Sequence, residues 1–113
     1  MQNTFKQGDI VLIPYPYTDL TAVKKRPVVI VSKDKINGEA FIVAKITSVI
    51  SGGALSFSLL DSELILPLPK PSEVRTAQVF TAHKSLIIKK ISRLQAATME
   101  RLAAQIQANF ETA

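Results

Sequence analysis

The chain contains no cysteine and no tryptophan, one histidine and four glycines in 113 residues. Without cysteine there is neither a disulfide framework nor a thiolate zinc site. The single histidine, His83, excludes a histidine-rich metal centre. The nine Asp and Glu residues are scattered and show no paired spacing, so no carboxylate ligand set stands out. There is no phosphate-binding glycine loop and no Gly-x-Ser-x-Gly turn. The apolar runs are short and broken by Pro or Lys, too short to cross a bilayer. The opening "MQNTFKQGD" has no apolar signal core. The expectation is a soluble, cytoplasmic protein with no membrane partner, no metal and no cofactor.

What is present fits one globular domain. Hydrophobic residues make up 47% and charged residues 20% of the chain, outside the disordered range. The length can bury a core without staples. Net charge is +5, and its surplus is uneven. Basic groups outnumber acidic ones seven to four in residues 1–50 and five to three in residues 51–90, and match them two to two in residues 91–113. A basic excess over the first ninety residues favours an anionic partner, although solubility alone also accounts for it.

The chain reads as short strands followed by one helix. "GDIVLIP" is a β-rich run. Pro14 and Pro16 follow it two apart, so their missing N–H groups share an edge, and the strand ends there or lies at a sheet border. Val28–Val31 and Phe41–Ile46 flank Asn37-Gly38, a short hairpin-turn signal. "SGG" at 51–53 marks the next turn, and Leu55, Phe57 and Leu59 alternate with serines as in a half-exposed strand. "LPLPKPS" breaks regularity, and "EVRTAQVFTAH" resumes β character. Met99, Leu102, Ile106 and Phe110 fall at helical spacing, with Ser92 and Thr98 as N-cap candidates. The expected architecture is mainly β: a small β-barrel over about residues 6–91, with a helix over about 92–112 packed on it.

No nucleophile–base–orienter set is visible. A catalytic role therefore suits a substrate that carries its own nucleophile. RNA does so, because a 2′-hydroxyl can attack the neighbouring phosphate, given a base, an acid and donors for the developing charge. In "KKRPVVIVS", Arg26 can grip two phosphate oxygens with its planar guanidinium, and Pro27 restricts Arg26 to extended backbone. The plainer alternative is a solubilising charge beside a buried strand. Thr47 and Ser48 close the strand "FIVAKITS", as phosphate donors or turn caps. Arg75 could add a second cation and Lys45 could face a groove. His83 is an acid–base candidate or a structural histidine. Tyr15 and Tyr17 could stack on unpaired bases or sit half-buried in the barrel.

Four stretches in order, "GDIVLIPYPYTDL", "KKRPVVIVS", "VAKITS" and "LPKPSEVRTAQVFT", together resemble the MazF/PemK family of toxin ribonucleases from bacterial toxin–antitoxin pairs. The likeness runs from about Gly8 to Leu94. It implies an SH3-like barrel that pairs as a homodimer. It also implies metal-independent, sequence-selective cleavage of single-stranded RNA and neutralisation by an acidic antitoxin. Arg26 matches the arginine used at the scissile phosphate, and Thr47 the threonine or serine that assists it. The loop from Tyr17 to Lys25 matches the loop covering the substrate groove, and Lys24, Lys25, Tyr17 and Asp19, with Ser48 at the strand end and Arg75 in a later strand, are expected to bind substrate. Two departures leave the base unassigned. Ala77 stands where some relatives carry an acidic residue, and "TDLTAV" lacks the histidine that others use, which leaves Asp19 as a substitute. Ser92 stands where the family has a glycine before the last helix. A binding module that does not cut, and a gyrase-poisoning toxin on the same barrel, are the rival readings. A poison acting through protein contacts needs no phosphate clamp, so the Arg-Pro and Thr-Ser pair favours RNA.

Overall fold

The computed structural model of the chain describes residues 5–16 and 23–112. The chain runs β1 (Asp9–Pro16), β2 (Val23–Ile30), β3 (Ala40–Thr47), β4 (Ser56–Leu59), β5 (Ser72–His83), β6 (Lys89–Arg93) and α1 (Ala96–Ala108). The described strands form one antiparallel sheet in the order β4-β5-β3-β2-β1-β6. Past the two outer strands, Leu64 bridges Leu94, Ile65 N–H donates to the Arg93 carbonyl at 2.8 Å, and Gln95 N–H donates to that of Glu63 at 2.8 Å. These bonds curl the sheet into a half-barrel.

Val28, Val29 and Ile30 are all fully buried, because β2 is covered on both faces. That is why its sequence is a continuous apolar run rather than an alternation. One face packs Ile10, Val29, Ala44, Ile46, Phe57 and Val74 against Met99, Leu102 and Ile106 of α1. The other gathers Val11, Ile13, Val28, Ile30, Phe41 and Val43 under Phe5, Phe80 and Ile87. Phe5 meets Phe41 edge to face, with centroids 6.2 Å apart.

The "GD" pair at the start of β1 has a structural reason. Gly8 has φ of 92°, which favours glycine. The fully buried Asp9 accepts from Lys6 N–H at 2.9 Å and pairs with Arg93 at 2.8 Å and Lys90 at 3.2 Å, tying β1 to β6. Pro14 and Pro16 lie at a sheet border as expected: β2 pairs along both, but β6 pairs only as far as Leu12.

Three expectations are corrected. The β2–β3 hairpin exists, but Asn37-Gly38 is not its two-residue turn, since the strands end at Ile30 and restart at Ala40. Asn37 is extended, and its side chain is spent on Ser32: Oδ1 accepts from the Ser32 hydroxyl, and Nδ2 donates to the Ser32 carbonyl at 3.1 Å. The helix begins at Ala96, with Gln95 as N-cap, rather than near Ser92. Ser92 pairs with Ile10 inside the sheet, and Thr98 lies buried within the first turn of α1. Phe110 follows the helical period yet is 74% exposed, because α1 ends at Ala108. Among the described residues, no helix is long and apolar enough to cross a membrane.

Candidate active site

Arg26 and Thr47 lie twenty-one residues apart in sequence, and the pairing of β2 with β3 brings them to one cavity. β2 and β3 pair as Val28↔Lys45, Val29↔Ala44 and Ile30↔Val43. Continued by two residues, that register sets Thr47 opposite Arg26 and Ile46 opposite Pro27. Both pairs line one cavity of about 650 Å³, together with Ser48, Leu12, Ile91, Ser72, Lys89 and the segment Leu66 to Lys70. Neighbouring side chains alternate across a strand, and both members of each step line the cavity, which therefore takes in the end of β3 at Thr47. Leu12, Pro27, Ile46, Leu68 and Ile91 give it an apolar floor continuous with the core around α1.

The polar part of the lining consists of cations and hydroxyls. Arg26, Lys70 and Lys89 contribute the charge, and among the described residues no carboxylate or imidazole lines the cavity. Thr47 Oγ accepts from Val49 N–H at 3.1 Å. That bond fixes the oxygen and leaves its proton to donate outward. The wall from Leu66 to Pro71 carries three prolines and is pinned at both ends. Ser92 Oγ donates to the Leu66 carbonyl at 2.6 Å and accepts from Leu66 N–H at 3.1 Å, while Ser72 Oγ donates to the Lys70 carbonyl at 2.9 Å. So Ser92, expected as a helix cap, holds a cavity wall.

The other expected residues lie elsewhere. Lys24 and Lys25 are exposed on β2, adjoining Arg26 and opposite Tyr15 and Pro14. Tyr17 and Asp19 lie outside the described residues. Lys45 is half-buried between Val28 and Arg75 and does not line the cavity. Arg75 is turned to a separate cluster: its Nε lies 3.2 Å from Glu73, and its Nη1 donates to Ser51 Oγ at 2.6 Å. His83 faces Ala40 at the far end of β3, seven residues from Thr47, or about 23 Å along the strand. There its Nδ1 accepts from Ser85 N–H at 3.0 Å, and its Nε2 lies 3.7 Å from Glu39. Ala77 is exposed, where β5 steps from Val79 to Arg75 against Ala44 and Lys45. Sequence reasoning missed Lys70, Lys89, Ser72 and Ser92. Lys70's place between Pro69 and Pro71 was the one available signal.

Glu73 organises the loop beyond Thr47. It is fully buried and accepts from Ser56 Oγ at 2.6 Å, Ser51 N–H at 3.2 Å and Gly52 N–H at 3.3 Å. The Ser56 hydroxyl above all, then the Gly52 and Ser51 amides and the Arg75 charge, hold its carboxyl below the usual 4.5, against the opposing effect of desolvation. A depressed folded pKa makes this contribution to stability complete above the unfolded value. It is lost as pH falls through the folded one. The urea midpoint of the wild type is therefore expected to drop below about pH 4.5, and that of Glu73→Gln to drop less. Equal acid sensitivity in urea titrations at pH 7 and pH 3.5 would refute this account of Glu73.

A curled mainly β sheet closed by one C-terminal helix is the architecture of the solved MazF toxins. The chain belongs to the family described as PemK-like, MazF-like toxins of type II toxin–antitoxin systems, whose model matches residues 6–110. Among solved structures, the Mycobacterium tuberculosis toxin MazF-mt6 is 24% identical. That alignment covers 93% of this chain and 98% of the other, with a TM-score of 0.72. MazE-MazF from Deinococcus radiodurans is 12% identical, covering 99% and 100% with a TM-score of 0.79. A mycobacterial endoribonuclease in complex with its cognate antitoxin is 13% identical, covering 97% and 100% with a TM-score of 0.76. At these identities the likeness is one of fold. No curated protein matches the sequence.

Proposed function

We propose that the protein is the toxin of a type II toxin–antitoxin pair and a metal-independent, sequence-selective endoribonuclease acting on single-stranded RNA. The observation that carries this reading is the meeting of Arg26, Thr47 and Ser48 in one cation-rimmed cavity. The RNA supplies the nucleophile. Its 2′-oxygen bonds to phosphorus, the bond from phosphorus to the 5′-oxygen breaks, a base takes the 2′-proton, and a proton reaches the departing 5′-oxygen. Arg26 binds two non-bridging oxygens and Thr47 donates to one, so both act on charge that grows in the transition state. Lys24 and Lys25 gather the backbone beside them, and Tyr17 stacks on a base. Among the described residues the cavity lining has no proton acceptor of the usual kind, so Asp19, the substitute that the family resemblance leaves, is the base to test.

The test is incubation of the protein with a long RNA in EDTA. Defined fragments with cyclic-phosphate and 5′-hydroxyl ends are expected. An intact RNA beside a folded protein would overturn the nuclease reading and leave the binding module.

The partner reading assigns two surfaces by charge. An acidic antitoxin tail covers the cations of the cavity and of Lys24 and Lys25, and folds as it binds. A second groove of about 560 Å³, lined by Val31, Ile36, Ile42, Val79, Ile106 and Phe110, carries one cation, Lys33, and no acid among the described residues. Its charge suits an acidic peptide poorly and its apolar lining suits a second copy, so the homodimer contact is placed there. Sedimentation is expected to give twice the 12.4 kDa chain mass, reverting to one chain in Phe110→Asp. A wild type that sediments as a monomer at every concentration overturns the dimer, and a dimeric Phe110→Asp overturns its placement.

A further inference from the structure

We infer that Lys70 and Lys89 are substrate-positioning residues: with Arg26 they surround a seat for one unpaired nucleotide, its base on the apolar floor and its flanking phosphates on the cations. The inference rests on the RNA reading above and adds to it a subsite and two residues.

Position is the first argument. Lys89 pairs with Leu12 across β1 and β6, and Leu12 pairs with Pro27 across β1 and β2. Lys89 thus stands two strands from the Arg26–Pro27 step, about 10 Å across the sheet, with Leu12 between them. Lys70 comes from the proline wall. The three cations therefore border a hollow whose floor is Leu12, Pro27, Ile46, Leu68 and Ile91. A nucleotide inside a strand has a phosphate on each side of its base, and cations at separate places around an apolar hollow match that pattern. The volume of about 650 Å³ lies in the range of ligand sites that bury most of their occupant.

Availability is the second argument. Several other cations are already paired: Arg75 with Glu73, Lys90 and Arg93 with Asp9, Lys84 with Glu39, and the exposed Lys6, Lys33 and Lys35, which are not, lie outside the cavity. Lys70 and Lys89 have no ion pair among the described residues, and both are exposed. Lys70 is also held in advance. Pro69 and Pro71 flank it, and its carbonyl is bound by the Ser72 hydroxyl at 2.9 Å. A cation on a restrained backbone loses less freedom when it meets a phosphate.

The probe is a 2′-O-methyl RNA 12-mer, which cannot attack its own phosphates, bound to the full-length protein across a range of salt. Each phosphate contact adds about 0.7 to the slope of log K against log salt for single strands. Lys70→Gln and Lys89→Gln are each expected to lower that slope by about 0.7, and the pair by about 1.4. Lys84→Gln, in its ion pair with Glu39, leaves it unchanged. All these lysines are exposed, so thermal unfolding should stay at the wild-type temperature. An abasic strand of equal length should keep the slope but bind about fivefold more weakly, the low end for base stacking because the floor is aliphatic. A wild-type slope in the double variant overturns the lysine assignment while the RNA reading stands. Equal affinity for the abasic strand overturns the base seat. An acidic peptide that binds through the same lysines while RNA does not gives the surface to a protein partner and overturns both readings.

Discussion

Arg26→Ala is expected to slow RNA cleavage by a factor of about a hundred to a thousand while the fold persists, which is the scale for removing one preorganised donor from a transition state. The size follows from where the donor acts. Charge on the non-bridging oxygens grows as the 2′-oxygen attacks, so a guanidinium bound there stabilises the transition state more than the ground state. Arg26→Lys should recover only part of the rate, because an ammonium is a point charge and cannot hold two oxygens in one plane. Arg26 is half-buried near the start of β2, and the core residues of that strand begin at Val28. Unfolding temperature should therefore change little. Single-turnover cleavage of one RNA by folded wild type and both variants is the measurement. A lysine variant as fast as the wild type would remove the bidentate role, and an alanine variant as fast would remove Arg26 from the chemistry.

The register that makes this prediction possible was only half legible in the sequence. Arg26-Pro27 and Thr47-Ser48 each mark the end of an apolar run, so both stood out as candidates. Their meeting depends on the β2–β3 connection. A two-residue turn at Asn37-Gly38 would set Val49, not Thr47, against Arg26. The observed connection contains a short 3₁₀ turn, Asp34–Ile36, and Asn37 spends its amide on Ser32, which shifts the pairing by two residues. That shift keeps the site residues on the same face and moves Thr47 opposite the arginine. Side-chain hydrogen bonds of this kind have no local signature, so the turn was misread although both strands were found.

Other gaps arise in the same way. Lys70 and Lys89 come from segments more than forty residues downstream of Arg26, and only the closure of the sheet brings them to it. Ser92 sits beside an Ala-rich helical period and resembles a cap. Its partner is the Leu66 backbone, twenty-six residues away. Arg75 was expected to add a second cation to the substrate site. Its actual partner is Glu73, two residues back in the same strand. The core was easier to read, since Met99, Leu102 and Ile106 keep one face of α1 toward Ile10 and Val29.

That helix gives the second large effect. Leu102 is completely buried between α1 and the sheet, and Leu102→Ala is expected to cost about 2–5 kcal/mol. Alanine is the better helix former, so the loss comes from the emptied volume and not from the helix itself. A domain of this size has only about 5–15 kcal/mol in total. At roughly 4 °C per kcal/mol, the unfolding temperature should fall by about 8–20 °C. Leu102 does not line the cavity, so cleavage per folded molecule should be unchanged well below the transition. This is the reverse of the Arg26→Ala signature, and together they separate scaffold from site. A Leu102→Ala protein that keeps its unfolding temperature but loses cleavage would mean that the helix face takes part in the chemistry. An unfolding temperature lowered with cleavage intact leaves α1 the role of supporting the sheet, so that Arg26 and Thr47 stay on one cavity.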